Sequence, residues 1–448
     1  MPIWTDKHDL QVTASSEQTV QTLDQFGDGL LGFTTQVDII VDLADTDHDC
    51  PVAQAYAAQF FASAETADGM QKAQAYLSRA KALAPHALPR EQAIIQAAEH
   101  WCKTERRSAA KVLEQVLDDH PTDIITAKWA QALHFDTGNP AGILRAPLKV
   151  AAACDANPYL HGMLAFGYEE CHLLDDAERA VHRAVSLNRA EPWAHHAMAH
   201  VNEARNTMDV GIQFMMDVSD TWTGLTSFMT THNWWHVCLF LIDLDRGHEA
   251  LDIYDQTIWA LNQNCVQDQI NGISLLYRLE RIGLDVGNRW HGLAAQVAAN
   301  ASSQVSVFLD FQFLYALARA EHSDAPKMVD RMIARADTAS EDEKVAWVRV
   351  AAPAASGVLA LANKDYVTAA QQFAQALPFL QCIGGSHAQR DLFELFYLDA
   401  LRGSEQWAPA QQILAMRHLG RPGVSWLKTQ LQEAYDNLGL GQVLTGPT

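Results

Sequence analysis

Four histidines near the middle of the chain have the residue type and the spacing of metal ligands. His196 and His200 stand four residues apart, and His232 and His236 repeat that spacing in a second apolar segment. Because residues four apart share one helical face, each pair can reach a single ion. Neutral imidazole binds zinc, iron, nickel and copper. The sequence therefore predicts a site for a divalent metal, with zinc or iron as the expected ion.

Glu203 extends the helical face of the first histidine pair. In zinc proteases the glutamate lies between the histidines, as H-E-x-x-H, whereas here it follows them, as H-x-x-x-H-x-x-E. Glu203 is therefore a candidate ligand, a candidate general base acting on water, or a candidate hydrogen-bond partner of an imidazole. The spacing leaves these three roles open. The neighbouring His195 points about a quarter-turn away from this face.

The same residues have explanations that need no metal. A histidine on an apolar helix is most often a packed residue, and Trp234 and Trp235 are expected to pack rather than to contact a cofactor. Histidine and glutamate could act as acid and base alone, because imidazole titrates near neutral pH. One or two of these histidines could instead bind haem. These alternatives stay open from the sequence.

The helices that would carry the histidines follow a repeat. Prolines recur every 34 to 37 residues, at Pro85, Pro121, Pro158 and Pro192. Two amphipathic runs lie between successive prolines, for example Tyr159 to His172 and Asp175 to Leu187. A closing proline suits the first turn of the next helix, where its missing N–H costs nothing. This period is typical of tetratricopeptide repeats.

The repeat predicts an all-α fold, a tetratricopeptide-like α-solenoid of stacked helix hairpins. Residues 1–48 fit the period poorly and are predicted to form an N-terminal cap or arm. Residues 49–448 are predicted to form one continuous array, because no low-complexity linker divides them. The clearest repeats, with the histidines, lie in 49–260, and more divergent repeats follow in 261–448.

Charge and composition exclude several classes of partner. The formal net charge of −22 over 448 residues argues against nucleic acid and against anionic membranes. We see no apolar run long enough to span a membrane and no secretory signal at the N-terminus. Seven scattered cysteines without a C-x-x-C pair favour reduced thiols and a cytoplasmic location. The oligomeric state cannot be read from the chain.

Several segments together resemble one protein family, the tetratricopeptide repeat protein 38 family. They are "DHPTD" (119–123), "WAHHAMAHVNEA" (193–204), "THNWWHVCLFLI" (231–242), "EALDIYD" (249–255), "SLLYRLE" (274–280), "VGNRW" (286–290) and "GGSHAQRD" (384–391). The resemblance implies a helical-repeat fold and assigns no reaction. It selects the same four histidines and Glu203, and it does not select His195.

The resemblance also adds candidate pocket residues outside the histidine helices. In "GGSHAQRD" the residues Arg390 and Asp391 match the family. The glycines allow a tight turn and the serine can cap the next helix, so this segment is either a turn with an Arg–Asp salt bridge or a clamp for a substrate anion. Arg278 and Glu170 are weaker candidates for the same pocket. Asp310 matches a family D-x-H pattern, but Gln312 replaces its histidine.

Two functions from different classes follow from these residues. The first is a metal-dependent hydrolase, in which the histidines bind the ion, Glu203 serves as ligand or base, and Arg390 holds a small, possibly anionic substrate. The second is a tetratricopeptide scaffold that binds a peptide or protein partner in its concave groove.

Overall fold

The computed structural model describes residues 2–441, and they fold into stacked antiparallel helix pairs. The predicted all-α, tetratricopeptide-like solenoid is confirmed. The first half contains two strands and twelve helices: β1 (Ile3–Thr5), β2 (Gln11–Thr13), α1 (Glu17–Gly32), α2 (Ile39–Thr46), α3 (Pro51–Ala62), α4 (Ala67–Leu83), α5 (Pro89–Cys102), α6 (Arg106–Asp119), α7 (Ile124–Asp136), α8 (Pro140–Val150), α9 (Pro158–Glu170), α10 (Leu174–Leu187), α11 (Pro192–Ala204) and α12 (Met208–Val218).

The second half continues the same arrangement. Its helices are α13 (Ser227–Asp243), α14 (Gly247–Ile253), α15 (Val266–Arg281), α16 (Arg289–Val297), α17 (Val307–Arg319), α18 (Asp324–Thr338), α19 (Ala352–Ala362), α20 (Tyr366–Ala376), α21 (His387–Gly403), α22 (Trp407–Gly420) and α23 (Ser425–Asn437). Short 3₁₀ segments cover Thr35–Asp38, Ala84–His86, Ser219–Trp222, Ala298–Asn300 and Leu377–Ile383, and π-helical turns cover Tyr254–Ile258 and Ala346–Ala351.

From α3 to α19 the odd-numbered helices pack on one another, and the even-numbered helices form an outer layer. The two layers differ in sequence because they differ in exposure. The inner helix α9 is buried on nearly its whole circumference and is apolar nearly all round. The outer helix α10 buries only its small-residue stripe, Ala177, Ala180, Val181 and Ala184. The odd-numbered helices are therefore the ones that can place polar side chains in the interior.

The repeat prolines have two different positions. Pro158 and Pro192 open α9 and α11 at the first helical turn, as predicted. Pro85 instead lies in the 3₁₀ turn after α4, and Pro89 opens the next helix. Pro121 lies in the turn before α7. A proline near the end of a repeat thus ends one helix as often as it starts another.

The N-terminal segment contains an antiparallel strand pair that the sequence pattern did not reveal. β1 and β2 pair through Trp4 opposite Val12. The strands have three residues each, too short for the alternation of apolar and polar residues to stand out. Helices α1 and α2 follow and pack on α3 and α7. The assignment of residues 1–48 as a cap and the boundaries of the array at 49–260 and 261–448 stay predictions. Residues 442–448 of the predicted array lie outside the described residues.

Two hydrophobic clusters meet at α11. One runs from Val12 to Val201 and the other from Ala199 to Ala434. Helix α11 contributes side chains to both clusters, so it lies at the junction of the two halves. The histidines of α11 are therefore placed in the interior of the whole molecule rather than at one end of an array.

The second half also folds back against the first. Arg106 of α6 donates to Glu343 at 2.5 Å in a buried ion pair. Arg421, directly after α22, donates to Glu203 of α11 at 3.1 Å. Within the second half, Trp426 of α23 donates its indole N–H to Asp243 of α13 at 2.9 Å. These contacts join residues far apart in sequence, so the array closes on itself. Within residues 2–441, no helix combines the length and the apolar character needed to cross a membrane.

Candidate metal centre

The two histidine pairs converge in the interior. Helices α11 and α13 pack side by side and direct both pairs to one point. The Nε2 atom of His196 lies 3.0 Å from that of His200 and 3.1 Å from that of His232. Ligand atoms of His196, His232 and His236 all lie within 4.8 Å of one another. The geometry thus brings together the four histidines that the sequence selected.

A chain of hydrogen bonds fixes the tautomer of His232. The Thr231 hydroxyl donates to Asp268 at 2.8 Å and accepts from the Asn271 amide nitrogen at 3.2 Å. The amide oxygen of Asn271 therefore faces Nδ1 of His232, at 3.0 Å, and accepts its proton. The Nε2 atom of His232 consequently carries a lone pair, directed at His196.

The Nδ1 atoms of His200 and His236 each face a carboxylate. Nδ1 of His200 lies 3.6 Å from Oε2 of Glu169, and Nδ1 of His236 lies 3.9 Å from Oε2 of Glu203. Metal-binding histidines commonly have a carboxylate hydrogen-bonded at Nδ1, which leaves Nε2 free. At 3.6 and 3.9 Å the two carboxylates are beyond hydrogen-bond distance but lie on the Nδ1 side, so they favour Nε2 as the ligand atom of His200 and His236.

The cluster is short of hydrogen bonds. Nδ1 of His196, both nitrogens of His236 and Oε2 of Glu203 are buried without a hydrogen-bond partner among residues 2–441. The Nε2 atom of His196 also lies against two other nitrogens, although it holds only one proton or one lone pair and makes at most one full hydrogen bond. Unpaired buried polar atoms cost free energy. A shared cation would remove this cost.

The distances suit such a cation. Two imidazole nitrogens bound at roughly 2.0–2.1 Å to one ion, at angles between octahedral and tetrahedral, lie roughly 2.9–3.4 Å apart. The two Nε2–Nε2 distances of 3.0 and 3.1 Å fall in this range. The residues therefore fit a divalent transition metal, in geometry as well as in ligand type.

Burial keeps these imidazoles neutral. Each is at most 3% exposed. Burial lowers the pKa of His232 to about 4, and burial together with the neighbouring histidines holds the pKa of His196 and His236 well below the usual value. Trp193 stacks on His196 with ring centroids 4.3 Å apart, and Trp235 stacks on His232 at 5.2 Å. The lowered pKa values favour the uncharged imidazole at neutral pH, with one N–H on each ring, and packing holds the rings in place.

Glu203 is buried between Arg421 and His236, whereas a general base at an open site would face solvent. Its Oε1 accepts from Arg421 at 3.1 Å, and its Oε2 faces His236. Burial raises the pKa of Glu203, and Arg421 opposes this shift. A cavity of about 30 Å³ lies against Glu203 and Arg421, with room for one or two water molecules. Oε2 of Glu203 lies 3.9 Å from Nδ1 of His236, which is longer than a hydrogen bond, so the contacts select none of the three roles left open.

The residues of "GGSHAQRD" divide between two surroundings. Ser386 and Gln389 form the predicted cap, each backbone N–H donating to the other's side chain. Arg390 donates to the carbonyl of Gly385 and lies 3.9 Å from Glu170. Asp391 pairs with other arginines and not with Arg390, so the salt bridge within the motif is replaced by longer-range ones.

Asp391 is the centre of a paired cluster. Arg278 donates to it at 2.9 Å and Arg417 at 2.6 Å. Burial alone would raise the pKa of Asp391, but the guanidinium groups of Arg417 and Arg278 outweigh burial and hold it well below the usual range. Arg278 also donates to the carbonyl of Ala388. We call Asp391, Arg278 and Arg417 the arginine cluster.

Asp310 lies on α17, in a different environment. Asp310 is buried, and burial raises its pKa well above the usual value. The charge of Glu65 adds to this rise, and that of Arg335 opposes it. Gln312 donates to the carbonyl of Phe308 on its own helix. His195 is likewise separate from the centre, since its Nδ1 accepts from Trp222 and its Nε2 donates to the carbonyl of Arg189.

Sequence reasoning missed two residues that the structure places beside the histidines. Glu169 precedes Glu170 in "GYEE", and only the exact rotation of α9 shows that it faces His200. Asn271 lies in "INGIS" on α15, and no spacing rule connects it to His232. The acidic pair was a usable signal for Glu169, whereas the role of Asn271 depends on helix packing.

Comparison with known proteins found distant structural neighbours alone. No protein-family model matches the chain. Two solved structures are similar: the human IFIT1 dimer with m7Gppp-AAAA, at 12% identity and a TM-score of 0.42 over 97% of this chain and 96% of that one, and the P58(IPK) TPR domain, at 11% identity and a TM-score of 0.23 over 80% of this chain and 100% of that one. Both are distant, and neither says anything about ligands of this chain.

Proposed function

We propose that this protein is a metal-binding helical-repeat protein, in which His196, His200, His232 and His236 bind one divalent transition metal. The observation that carries the proposal is the convergence of their nitrogens: Nε2 of His196 lies 3.0 and 3.1 Å from two other ring nitrogens and can make a full hydrogen bond to only one of them. The expected ion is zinc or iron, because neutral imidazole suits both. Asn271, Glu169 and Glu203 would orient three of the ligands through Nδ1.

The test compares two histidines of equal burial. The full-length protein is purified without added metal, and its zinc and iron content is measured in wild type, His232→Gln and His195→Gln. We expect about one ion or more per chain in wild type and in His195→Gln, and a loss of at least tenfold in occupancy in His232→Gln. Equal metal content in the two variants would contradict the proposal, and an absorption spectrum with a Soret band would indicate haem instead.

The helical array supports a partner-binding role better than an enzymatic one. Stacked helix hairpins are typical of proteins that bind peptides or other proteins. The closed interior means that a partner would contact the outer surface, where Met416 and Leu419 of α22 are 67% and 77% exposed. In this reading the ion stabilises the junction between the two halves.

A metal-dependent hydrolase is the second candidate. A divalent cation acidifies water, and the cavity beside Glu203 has room for water next to the centre. Arg421 lines this cavity and pairs with Glu203 and Asp243. In this candidate function Arg390, which lies 3.9 Å from Glu170, would hold a small anionic substrate.

One pair of experiments separates these candidates. Affinity capture with wild type and with a double variant, Met416→Ser/Leu419→Ser, tests the outer surface. A partner lost in the double variant and retained after treatment with a chelator supports the scaffold. Hydrolysis of a panel of small esters and amides that disappears with chelator and in His232→Gln, and persists in His195→Gln, supports the enzyme.

Membership of the tetratricopeptide repeat protein 38 family and a cytoplasmic location remain further proposals.

A further inference from the structure

Two glutamates at the end of α9 lie beside the histidine centre. Ligand atoms of Glu169, Glu170 and His200 are within 4.8 Å of one another. Each of these residues is only 2% exposed. Two carboxylates and an imidazole in one buried place are a ligand set for a divalent cation, separate from the set formed by the other three histidines.

His200 stands between the two sets. Its Nε2 lies 3.0 Å from Nε2 of His196, on the side of the histidine centre. Its Nδ1 lies 3.6 Å from Oε2 of Glu169, on the side of the carboxylates. Because the two nitrogens occupy different edges of the ring, one imidazole can serve both sets at once.

The carboxylates lack a sufficient positive partner. Oε2 of Glu169 is buried and accepts no hydrogen bond from any residue in the described range. The nearest guanidinium, that of Arg390, lies 3.9 Å from Glu170 and also donates to the carbonyl of Gly385. Glu170 accepts a long hydrogen bond, 3.4 Å, from the backbone N–H of His387. The His387 ring Nε2 lies 3.6 Å from Oε2 of Glu170, but burial lowers the pKa of that imidazole and so disfavours its charged form. One arginine at this distance does not satisfy two buried carboxylates.

We propose that Glu169, Glu170 and Nδ1 of His200 bind a second divalent cation, so that His200 bridges two metal ions. The inference rests on the proposed function, because Nε2 of His200 serves the first ion. Occupation of both sites requires the His200 ring to give up its N–H proton to solvent, and each nitrogen then donates a lone pair to one ion. The mixed carboxylate and imidazole ligands suit zinc, manganese or iron.

The test counts ions in variants that keep side-chain shape. Full-length protein is freed of metal with a chelator, loaded with zinc, desalted, and measured for zinc per chain. We expect two zinc ions in wild type and one in Glu169→Gln. Glu341→Gln, at a glutamate whose side chain is 86% exposed, is the matched control and is expected to keep two.

The outcomes separate the two proposals. One zinc in both wild type and Glu169→Gln, with none in His232→Gln, would overturn the second site and leave the first. No zinc in wild type would overturn both. Two zinc ions in Glu169→Gln would place the second ion elsewhere and overturn the second site.

A second measurement uses wild type alone, so it does not depend on the folding of a variant. The protein is loaded with one and then two equivalents of copper(II), and electron paramagnetic resonance spectra are recorded. Two copper ions joined by one imidazole couple magnetically, so we expect the isolated-ion signal to lose most of its intensity at the second equivalent. A signal that doubles at the second equivalent would overturn the bridge.

Discussion

The histidine centre and the arginine cluster are both polar groups in the interior, but their pairing is opposite. In the arginine cluster, Asp391 accepts from Arg278 and Arg417, and each charge meets a charge of the other sign, although Nε of Arg278 is buried without a hydrogen-bond partner among residues 2–441. In the histidine centre, nitrogens face nitrogens at 3.0 and 3.1 Å, and both nitrogens of His236 lack partners in the described part of the chain.

The contrast distinguishes structural polar groups from a ligand site. Buried ion pairs that are complete require nothing further and hold helices in register. Buried groups that are incomplete cost stability unless something else completes them. The arginine cluster therefore links α15, α21 and α22 without any further group, whereas the unpaired nitrogens of the histidine centre support the cation proposed above.

The largest expected effect is the response of stability to metal. Zinc at about a thousand times its dissociation constant should raise the free energy of unfolding of wild type by about 4 kcal/mol, because it binds the native state alone. Urea denaturation with zinc and with chelator measures this difference. His195→Gln should keep the gain and His232→Gln should lose it. An equal gain in both variants would mean that zinc acts elsewhere.

The next effect concerns a histidine that is buried but paired. Burial lowers the pKa of His195 from 6.5 to about 4. Between these values the unfolded chain binds a proton that the native state does not, so native stability falls as the pH falls. The loss should reach about 3 kcal/mol at pH 4 relative to pH 7.

The experiment is a series of urea denaturations in chelator between pH 7 and pH 4. The slope attributable to His195 should disappear in His195→Gln and should persist in His248→Gln, where the histidine is exposed. An unchanged slope in His195→Gln would show that this residue is protonated in the native state.

A third prediction breaks the arginine cluster. Asp391→Asn removes the charge that pairs with Arg278 and Arg417 while it keeps the side-chain shape. Complete burial would make the loss larger, but the Asp391 side chain is 25% exposed, so we expect the free energy of unfolding to fall by about 2 kcal/mol. Urea denaturation measures the loss. Glu249→Gln, which breaks an exposed ion pair with Arg246, is the control and should lose much less, because exposed ion pairs contribute little. A change within error would remove the cluster from the set of stabilising contacts.

The smallest effect is also the sharpest test of the contrast. His236→Leu removes two unpaired nitrogens and replaces the imidazole with an apolar side chain of similar size. In chelator we expect stability to stay equal or to rise by about 1 kcal/mol, because no hydrogen bond is lost. With zinc the same variant should be less stable than wild type. A large loss in chelator would show that His236 is already paired without an ion.

The sequence was most informative where local rules decide the outcome. Helical spacing placed His196 and His200 on one face, and Ser386 caps α21 as predicted. The amphipathic run from Asp175 to Leu187 forms helix α10, which buries only the side that carries its small residues. These features depend on contacts within one helix or one turn, so a single segment contains the information.

Features that depend on packing were not predictable from spacing. One of the two interpretations of "GGSHAQRD" paired Asp391 with Arg390, yet the partners of Asp391 come from α15 and α22. The carboxylate at Glu169 and the amide at Asn271 reach the histidines only because α9 and α15 flank α11 and α13. Such contacts follow from the rotation of whole helices, which repeat periodicity does not determine.

The closure of the array has a consequence for how the chain folds. An open solenoid can fold repeat by repeat, because each unit contacts only its neighbours. Here Arg106 pairs with Glu343, and Asp243 pairs with Trp426. Each of these contacts forms only after a segment much later in the chain has been synthesised. Such distant contacts must overcome loop entropy before they contribute stability. We therefore expect one cooperative unfolding transition, and a nascent chain that ends before α17 should remain incompletely folded on the ribosome.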